Sequence, residues 1–443
     1  MAAEWSRCSL ADLIDVKHGF AFEGEFIYDK PRGDVLLTPG NFVIGGGFKG
    51  DKVKYYDGPV PADFVLDEGD LLVTMTDLSK QSDTLGFPAF VPSRSDGRRY
   101  LHNQRLGKVV VKDARLLDTR YLHYLLCSAD YRHEVLASAT GTTVKHTSPN
   151  RIRRFRFLRP PLPEQKAIAH VLGTLDDKIE LNRRMSETLE AIARALFKSW
   201  FVDFDPVRAK AEGRDPDLPR PLADLFPARL VDSELGEIPE GWEVGTLADL
   251  TLLNPEVWTR ATRPAVLHYV DLSNTKWGRI EAFTPYEAAD APSRAQRVLR
   301  AADTIIGTVR PGNGSYAFIS EPGLTGSTGF AVLRPQVPRC AEFVYLTTTA
   351  PENIDILTHL ADGAAYPAVR PEIVAATPIV CPDDEVLARF SRAVGPLLAR
   401  MAQAERESRM LATVRDTLLP KLISGELRVA VPTLKTAQTE QVG

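Results

Sequence analysis

The chain has 443 residues, of which 44% are hydrophobic and 25% charged, enough for two or three domains with a full core and unlike a disordered chain or a small disulfide scaffold. It contains no run of about 18 apolar residues, and its first four residues do not open a signal peptide, so we expect a cytoplasmic protein with no membrane partner. The net charge of −4 argues against a nucleic-acid binder that acts alone, because neutralising phosphates takes a basic excess.

Residues 1–160 alternate short β-type runs with turns at Gly45-Gly46-Gly47, Asp57-Gly58 and Asp96-Gly97. This stretch holds 23 Lys and Arg against 20 Asp and Glu, so the acidic excess lies further along the chain. Leu122, Leu125, Leu126 and Val135 share one face of a single helix expected over residues 120–137. The basic run 151–160 is expected to be a strand with a solvated face; phosphate contact is the alternative.

From Pro163 and Glu164, which suit a helix start, apolar positions step by three and four through Ile168, Leu172, Leu175 and Ile179, then Leu189, Ala193, Leu196 and Trp200. At about 1.5 Å per residue such a helix is roughly 55 Å long and must lie against another. Asn182 and Ser186 fall within its seam, where polar residues weaken the pairing and fix its register. A Pro-rich, charged connector (204–239) leads to a second strand-rich module (240–382) with a helix over 343–360. A second seam then runs through Leu387, Phe390, Val394, Leu397, Met401, Ala404, Ser408, Leu411 and Leu418, with a kink expected at Gly395-Pro396 and a frayed tail over 428–443.

The two seams are copies. Ile168 and Phe390, Leu175 and Leu397, Ile179 and Met401, Leu189 and Leu411 are each 222 residues apart, as are Gly141 and Gly363. Upstream the offset drifts: LADL at 10–13 and 247–250 differ by 237, and the segments around Asp70 and Asp303 by 233. The predicted class is α+β, with two duplicated α/β modules separated by two long antiparallel coiled-coil helices. The expected boundaries are 1–160, 161–203, 204–239, 240–382, 383–425 and 426–443.

No motif for catalysis emerges. Gly45, Gly47 and Gly50 satisfy GxGxxG by count but open no helix, and GxxxxGK[ST] does not occur. Glu164-Gln165-Lys166 starts a helix where a nuclease would need a strand, and Asn254-Pro255 precedes Glu-Val where a base-flipping amino-methyltransferase has a Pro-aromatic pair. Neither the four cysteines nor the eight histidines have metal-ligand spacing.

Four stretches carry a family resemblance: PPLPEQKAIAHVLGTLDDKIELNRR at 160–184, LFKSWFVDFDPV at 196–207, SELGEIPEGWEV at 233–244 and LLPKLISGEL at 418–427. In this order they resemble the DNA specificity subunit of type I restriction-modification systems over nearly the full chain. The resemblance implies that each module is a target recognition domain, that the two helices are a spacer, and that the partners are double-stranded DNA, two methyltransferase (M) subunits and restriction (R) subunits. It further implies a non-catalytic chain without its own cofactor, in an assembly that methylates adenine and cuts DNA with S-adenosylmethionine, ATP and Mg held by the partners. The spacer and subunit-binding positions would be Glu164, Gln165, Ile168, Leu172, Leu175, Ile179, Leu189, Phe390, Val394, Leu397, Met401 and Leu411. The second copy departs from the pattern, with CPDDE at 381–385 in place of PPLPEQ.

Two different modules would read two different half-sites. Base edges are read by side chains with paired donors and acceptors on loops at strand ends. Three corresponding loop pairs qualify: 76–84 with 310–316, 102–105 with 327–329, and 141–146 with 363–369. Their candidate DNA-binding residues are Lys80, Gln81, Asn103, Gln104, Arg105, Thr143, Lys145, Arg310, Asn313, Tyr316, Ser327 and Thr328. Competing readings are a coiled-coil protein adaptor and a self-sufficient restriction-methylation enzyme; the missing motifs weigh against the latter.

Overall fold

A computed structural model describes residues 4–430 except 51, 52, 78, 80–82, 143 and 260. The chain forms two compact units, one of residues 1–180 with 408–443 and the other of residues 181–407. Two long helices, Leu162–Phe201 and Asp384–Ser424, each contribute a segment to both.

In the first unit, Ser6–Ser9 pairs antiparallel with Arg156–Arg159, bringing the two ends of the module together. The LADL segment that follows is one helical turn, with Ser9 and Asp12 forming a capping box. An antiparallel sheet runs in the order Ile14–His18, Leu106–Val111, Leu71–Thr74, Pro88–Phe90. A second, mixed sheet contains the parallel pair Asp34–Leu37 and Tyr100–His102. Helix Thr119–Cys127 buries Tyr121, Leu122 and Leu125 in a core shared with Ile168 and Leu172 of the first long helix and Leu422 of the second.

The second unit repeats this plan. Glu243–Thr246 pairs with Pro378–Cys381, and Thr246 and Asp249 form the matching capping box. The antiparallel sheet is Thr251–Leu253, Phe330–Pro335, Thr304–Gly307, Tyr316–Phe318. The mixed sheet has its parallel pair at Val266–Val270 and Leu324–Ser327. Phe343 and Val344 of helix Ala341–Thr348 share a core with Phe197, Phe201, Phe390 and Val394.

The long helices pair antiparallel. In the second unit Phe197 packs on Phe390 while Asn182 donates from Nδ2 to Glu407 at 2.9 Å, so one residue number rises as the other falls. In the first unit Arg415 donates to Asp176 at 2.7 Å.

Local readings fare unevenly. The helix expected over 120–137 is two, Thr119–Cys127 and Ala129–Ala137, because the extended Ser128 ends one and its hydroxyl accepts the Tyr131 N–H to start the next. The second module divides likewise before Pro351, and residues 149–153 are a helical turn ahead of the expected strand. Helix Asp384–Ser424 runs unbroken through Gly395-Pro396. The expected fraying does not begin at residue 428, since Arg428 is ion-paired with Glu164.

Candidate nucleic-acid interface

The three loop pairs singled out in the sequence converge in each module. In the first, the Met75 N–H donates to the Arg105 carbonyl at 2.9 Å and the Met75 carbonyl accepts the Thr147 N–H at 2.9 Å, so one residue ties three loops. In the second, Thr308 does the same, donating its N–H to Gly329 at 2.8 Å and accepting from Val369 at 2.9 Å. The offset between Met75 and Thr308 is the 233 of the surrounding segment, and that between Thr147 and Val369 is the 222 of the helices. The pairings Thr140 with His146 and Asp362 with Ala368 also correspond, each closing a hairpin on a left-handed glycine, Gly141 or Gly363. A Cβ on Gly141 would lie 1.9 Å from the Val144 carbonyl oxygen, so no other residue fits there.

Different side chains stand on this shared backbone. Asp77 in the first module corresponds to Arg310 in the second. Asp77 is buried and turned inward, accepting the N–H of Ser79 at 2.6 Å and both the N–H and hydroxyl of Thr84. Burial opposes its ionisation, but these donors outweigh it and hold its pKa below the ordinary carboxylate value. Arg310 is exposed, with its Nη2 donating to the Ala365 carbonyl at 2.7 Å and its guanidinium over the Tyr366 ring.

Of the candidate DNA contacts, Gln104 and Arg105 are exposed at the tip of their turn. Asn103 shapes that turn, its Oδ1 accepting the Arg105 N–H at 2.9 Å. Lys145 is half-buried on a strand paired with Thr76–Asp77. Asn313 is exposed on the 310–314 loop, and Thr328 is half-buried. Tyr316 and Ser327 need correction as base-reading residues, being 5% and 0% exposed and packed inside the second module. Lys80, Gln81 and Thr143 lie outside the described residues. Sequence reasoning chose the 363–369 loop without singling out its Tyr366, 71% exposed, and missed Trp277, 57% exposed; both lie beside the 310–314 loop. For Trp277 the available signal was an aromatic residue next to Gly278 in an irregular stretch.

Among the described residues no group of three or more His, Cys, Asp and Glu could hold a metal ion. Residues 3–191 match the family model of the type I restriction modification DNA specificity domain. Over 376 residues the chain is 27% identical to the HindI specificity subunit of a type I restriction enzyme from Haemophilus influenzae, covering 72% of this chain and 80% of that one. Over residues 3–191 the chain thus resembles the type I restriction-modification specificity subunits.

The MjaIX specificity subunit of Methanocaldococcus jannaschii is 22% identical over 347 residues, 74% of this chain and 73% of that one. The crystal structure of a type I S subunit from M. genitalium shares the fold, with a TM-score of 0.56 at 16% identity over 95% of this chain and 96% of that one. Past the end of the family match, within the first long helix, the chain repeats the loop bonds of its first module in a second one.

Its helix positions divide by burial. Ile168, Leu172, Phe390, Val394 and Met401 are buried, while Leu175, Ile179, Leu189, Leu397 and Leu411 are half-buried in the seam. Glu164 and Gln165, expected to seat a partner subunit, are instead engaged within the chain. Glu164 accepts the Trp5 indole N–H at 3.0 Å and Nη2 of Arg428 at 2.7 Å. Gln165 donates to the Leu116 and Pro160 carbonyls and accepts the Asp118 N–H. The equivalent second-copy residues, Val386 and Leu387, are buried hydrophobics, so an apolar contact there replaces a polar one.

Proposed function

We propose that this chain is a type I specificity subunit that reads an asymmetric, bipartite DNA target, one half-site per module, and positions M and R subunits on it. The observation that carries the reading is the pair of identically tied loop junctions, around Met75 and Thr308, bearing unlike side chains. A shared backbone with an inward-turned Asp77 in one copy and an outward Arg310 in the other suits a common docking geometry with different base preferences. Chemistry is assigned to the partners: S-adenosylmethionine to the M subunits, ATP and Mg to the R subunits, none to this chain. Its charge of −4 supports shared binding, with part of the basic surface for phosphate supplied by the partners. The work takes place in the cytoplasm, and among the described residues no helix is long and apolar enough to cross a membrane.

The test is to co-express the chain with its M subunit and map adenine methylation on genomic DNA. The expected result is one motif of two unlike parts separated by unread bases. Changing Gln104 and Arg105 to Ala should relax only the part read by the first module, at about 1–3 kcal/mol per lost bidentate contact. A palindromic or single-part motif, or methylation by the isolated chain, would overturn the proposal.

A further inference from the structure

Arg310 combines three features that do not occur together by default. Its backbone is left-handed, φ 50° and ψ 63°, immediately before Pro311, where steric contact with the proline ring restricts even the common conformations. It is held there by its own N–H, which donates to the Pro367 carbonyl at 2.7 Å, and by the bridge between Val309 and Ala368. Its guanidinium is exposed yet held at two points, since Nη2 donates to the Ala365 carbonyl at 2.7 Å and Cζ stands 4.7 Å from the Tyr366 ring centroid. A cation on an aromatic face loses little by further binding, and a planar fork already held loses less entropy when it meets a planar partner.

The far end of the loop is held as well. Gly314 is left-handed, and a Cβ there would lie 2.6 Å from the Trp277 indole. The Trp277 N–H donates to the Gly314 carbonyl at 2.6 Å, from a backbone that is itself left-handed. Strain of this kind persists only where the surroundings over-determine it, and it gathers where a side chain must be aimed.

No carboxylate among the described residues lies within ion-pairing distance of Arg310, whereas Arg279, Arg300 and Arg334 of the same module each have one. The single bond to Ala365 leaves the other N–H groups of the fork for a second partner. A partner with two acceptors side by side matches the fork, and on a DNA groove edge that is guanine, through O6 and N7.

We propose that Arg310 reads one guanine in the half-site of the second module, with Tyr366 as the residue that positions it. This rests on the DNA-reading function proposed above. The first module has Asp77 and Val144 at the equivalent positions and so lacks this device.

The experiment uses the full chain in complex with its M subunit and a duplex carrying the methylation motif found by genomic mapping. Each guanine of the second half-site is replaced in turn by 7-deazaguanine, which removes N7 and leaves base pairing intact. The wild-type complex should lose affinity at one such guanine, and Arg310→Ala should abolish the sensitivity there while every other preference stays. We expect roughly a 5- to 100-fold loss of discrimination. Arg310→Lys keeps the charge without the fork, so it should lose the same preference while retaining general affinity. Tyr366→Ala should weaken discrimination at that guanine alone, and Tyr366→Phe, which keeps the ring, should restore it. A uniform loss across all positions would make Arg310 a phosphate contact and overturn the assignment. An Arg310→Ala complex that keeps every preference would overturn it too, leaving the DNA-reading function intact. A wild-type complex with no base preference in that half-site would overturn the DNA-reading function itself.

Discussion

Glu164 shows how one side chain can join distant parts of a sequence. Its nearly buried carboxylate holds Trp5, near the start of the chain, and Arg428, beyond the second long helix, and the Arg428 guanidinium also stacks 5.2 Å over the Trp5 ring. Burial alone would raise its pKa, but the bonds from Arg428 and Trp5 outweigh burial and hold it below the usual 4.5. A depressed folded-state pKa gives stability that is present above the unfolded-state value and lost as pH falls through the folded one. Glu164→Gln should therefore lower the unfolding midpoint at pH 7, by about 1–3 kcal/mol in stability. The gap from wild type should close as pH drops below the ordinary carboxylate range. Calorimetry from pH 7 to pH 3 checks this, and a gap that stays constant with pH would mean that packing, not charge, is what Glu164 supplies.

Within the long helices, Gly173 and Gly395 occupy equivalent positions with unequal surroundings. A Cβ on Gly173 would meet only the Tyr124 hydroxyl at 3.7 Å and Arg120 at 3.8 Å, ordinary contacts. At Gly395 it would lie 2.9 Å from Oε1 of Glu342, a side chain 9% exposed whose pKa burial pushes up. Replacing a helical glycine by alanine favours the helix by about 1 kcal/mol when space allows. Gly173→Ala should realise most of that gain, and Gly395→Ala little or none, because a buried carboxyl group must move first. Urea unfolding of the two variants side by side decides it; equal gains would show that Glu342 yields freely. Asn182 acts at the same level, being 1% exposed in the seam with its Nδ2 donating to Glu407 and to the Ala404 carbonyl. Such a polar pair costs stability and sets alignment, so Asn182→Leu should not weaken the helix pair but should let it slip. Paired cysteines placed at matched levels along the two helices would then cross-link in more than one register; a single register in the variant would assign the alignment to the flanking cores.

For the whole molecule, we propose that the pair of helices sets the spacing between the two half-sites. Because Asn182 faces Ala404 and Glu407, a seven-residue insertion after Arg183 and another after Glu405 face each other and keep the apolar seam in phase. Each helix lengthens by about 10 Å, or roughly 3 bp of DNA at about 3.4 Å per step. The second module must then meet a groove turned by about 100°, so affinity should fall even for the best new target. Selection from a library with unread spacers of varied length should return a longer spacer. An unchanged preference in a folded, M-bound variant would assign the spacing to the partner subunits.

Periodicity and repetition made the architecture legible without coordinates. A seam stepping by three and four requires a partner helix wherever it lies, and a constant offset of 222 between Ile168 and Phe390 or Leu189 and Leu411 identifies that partner within the same chain. The loop pairs were legible for the same reason, since duplicated strands carry their connecting loops to equivalent places. What the linear pattern could not decide was which way each side chain turns. Tyr316 and Ser327 read as polar loop residues but face the core, Glu164 and Gln165 read as a docking turn but are engaged by Trp5, Arg428 and the backbone of residues 116, 118 and 160, and Tyr366 meets Arg310 only through the fold. Those outcomes depend on contacts between residues far apart in the chain, and local composition does not encode them. Helical period and duplication are properties of the sequence itself; the burial of a polar group depends on which distant donor reaches it, and only the tertiary structure settles that.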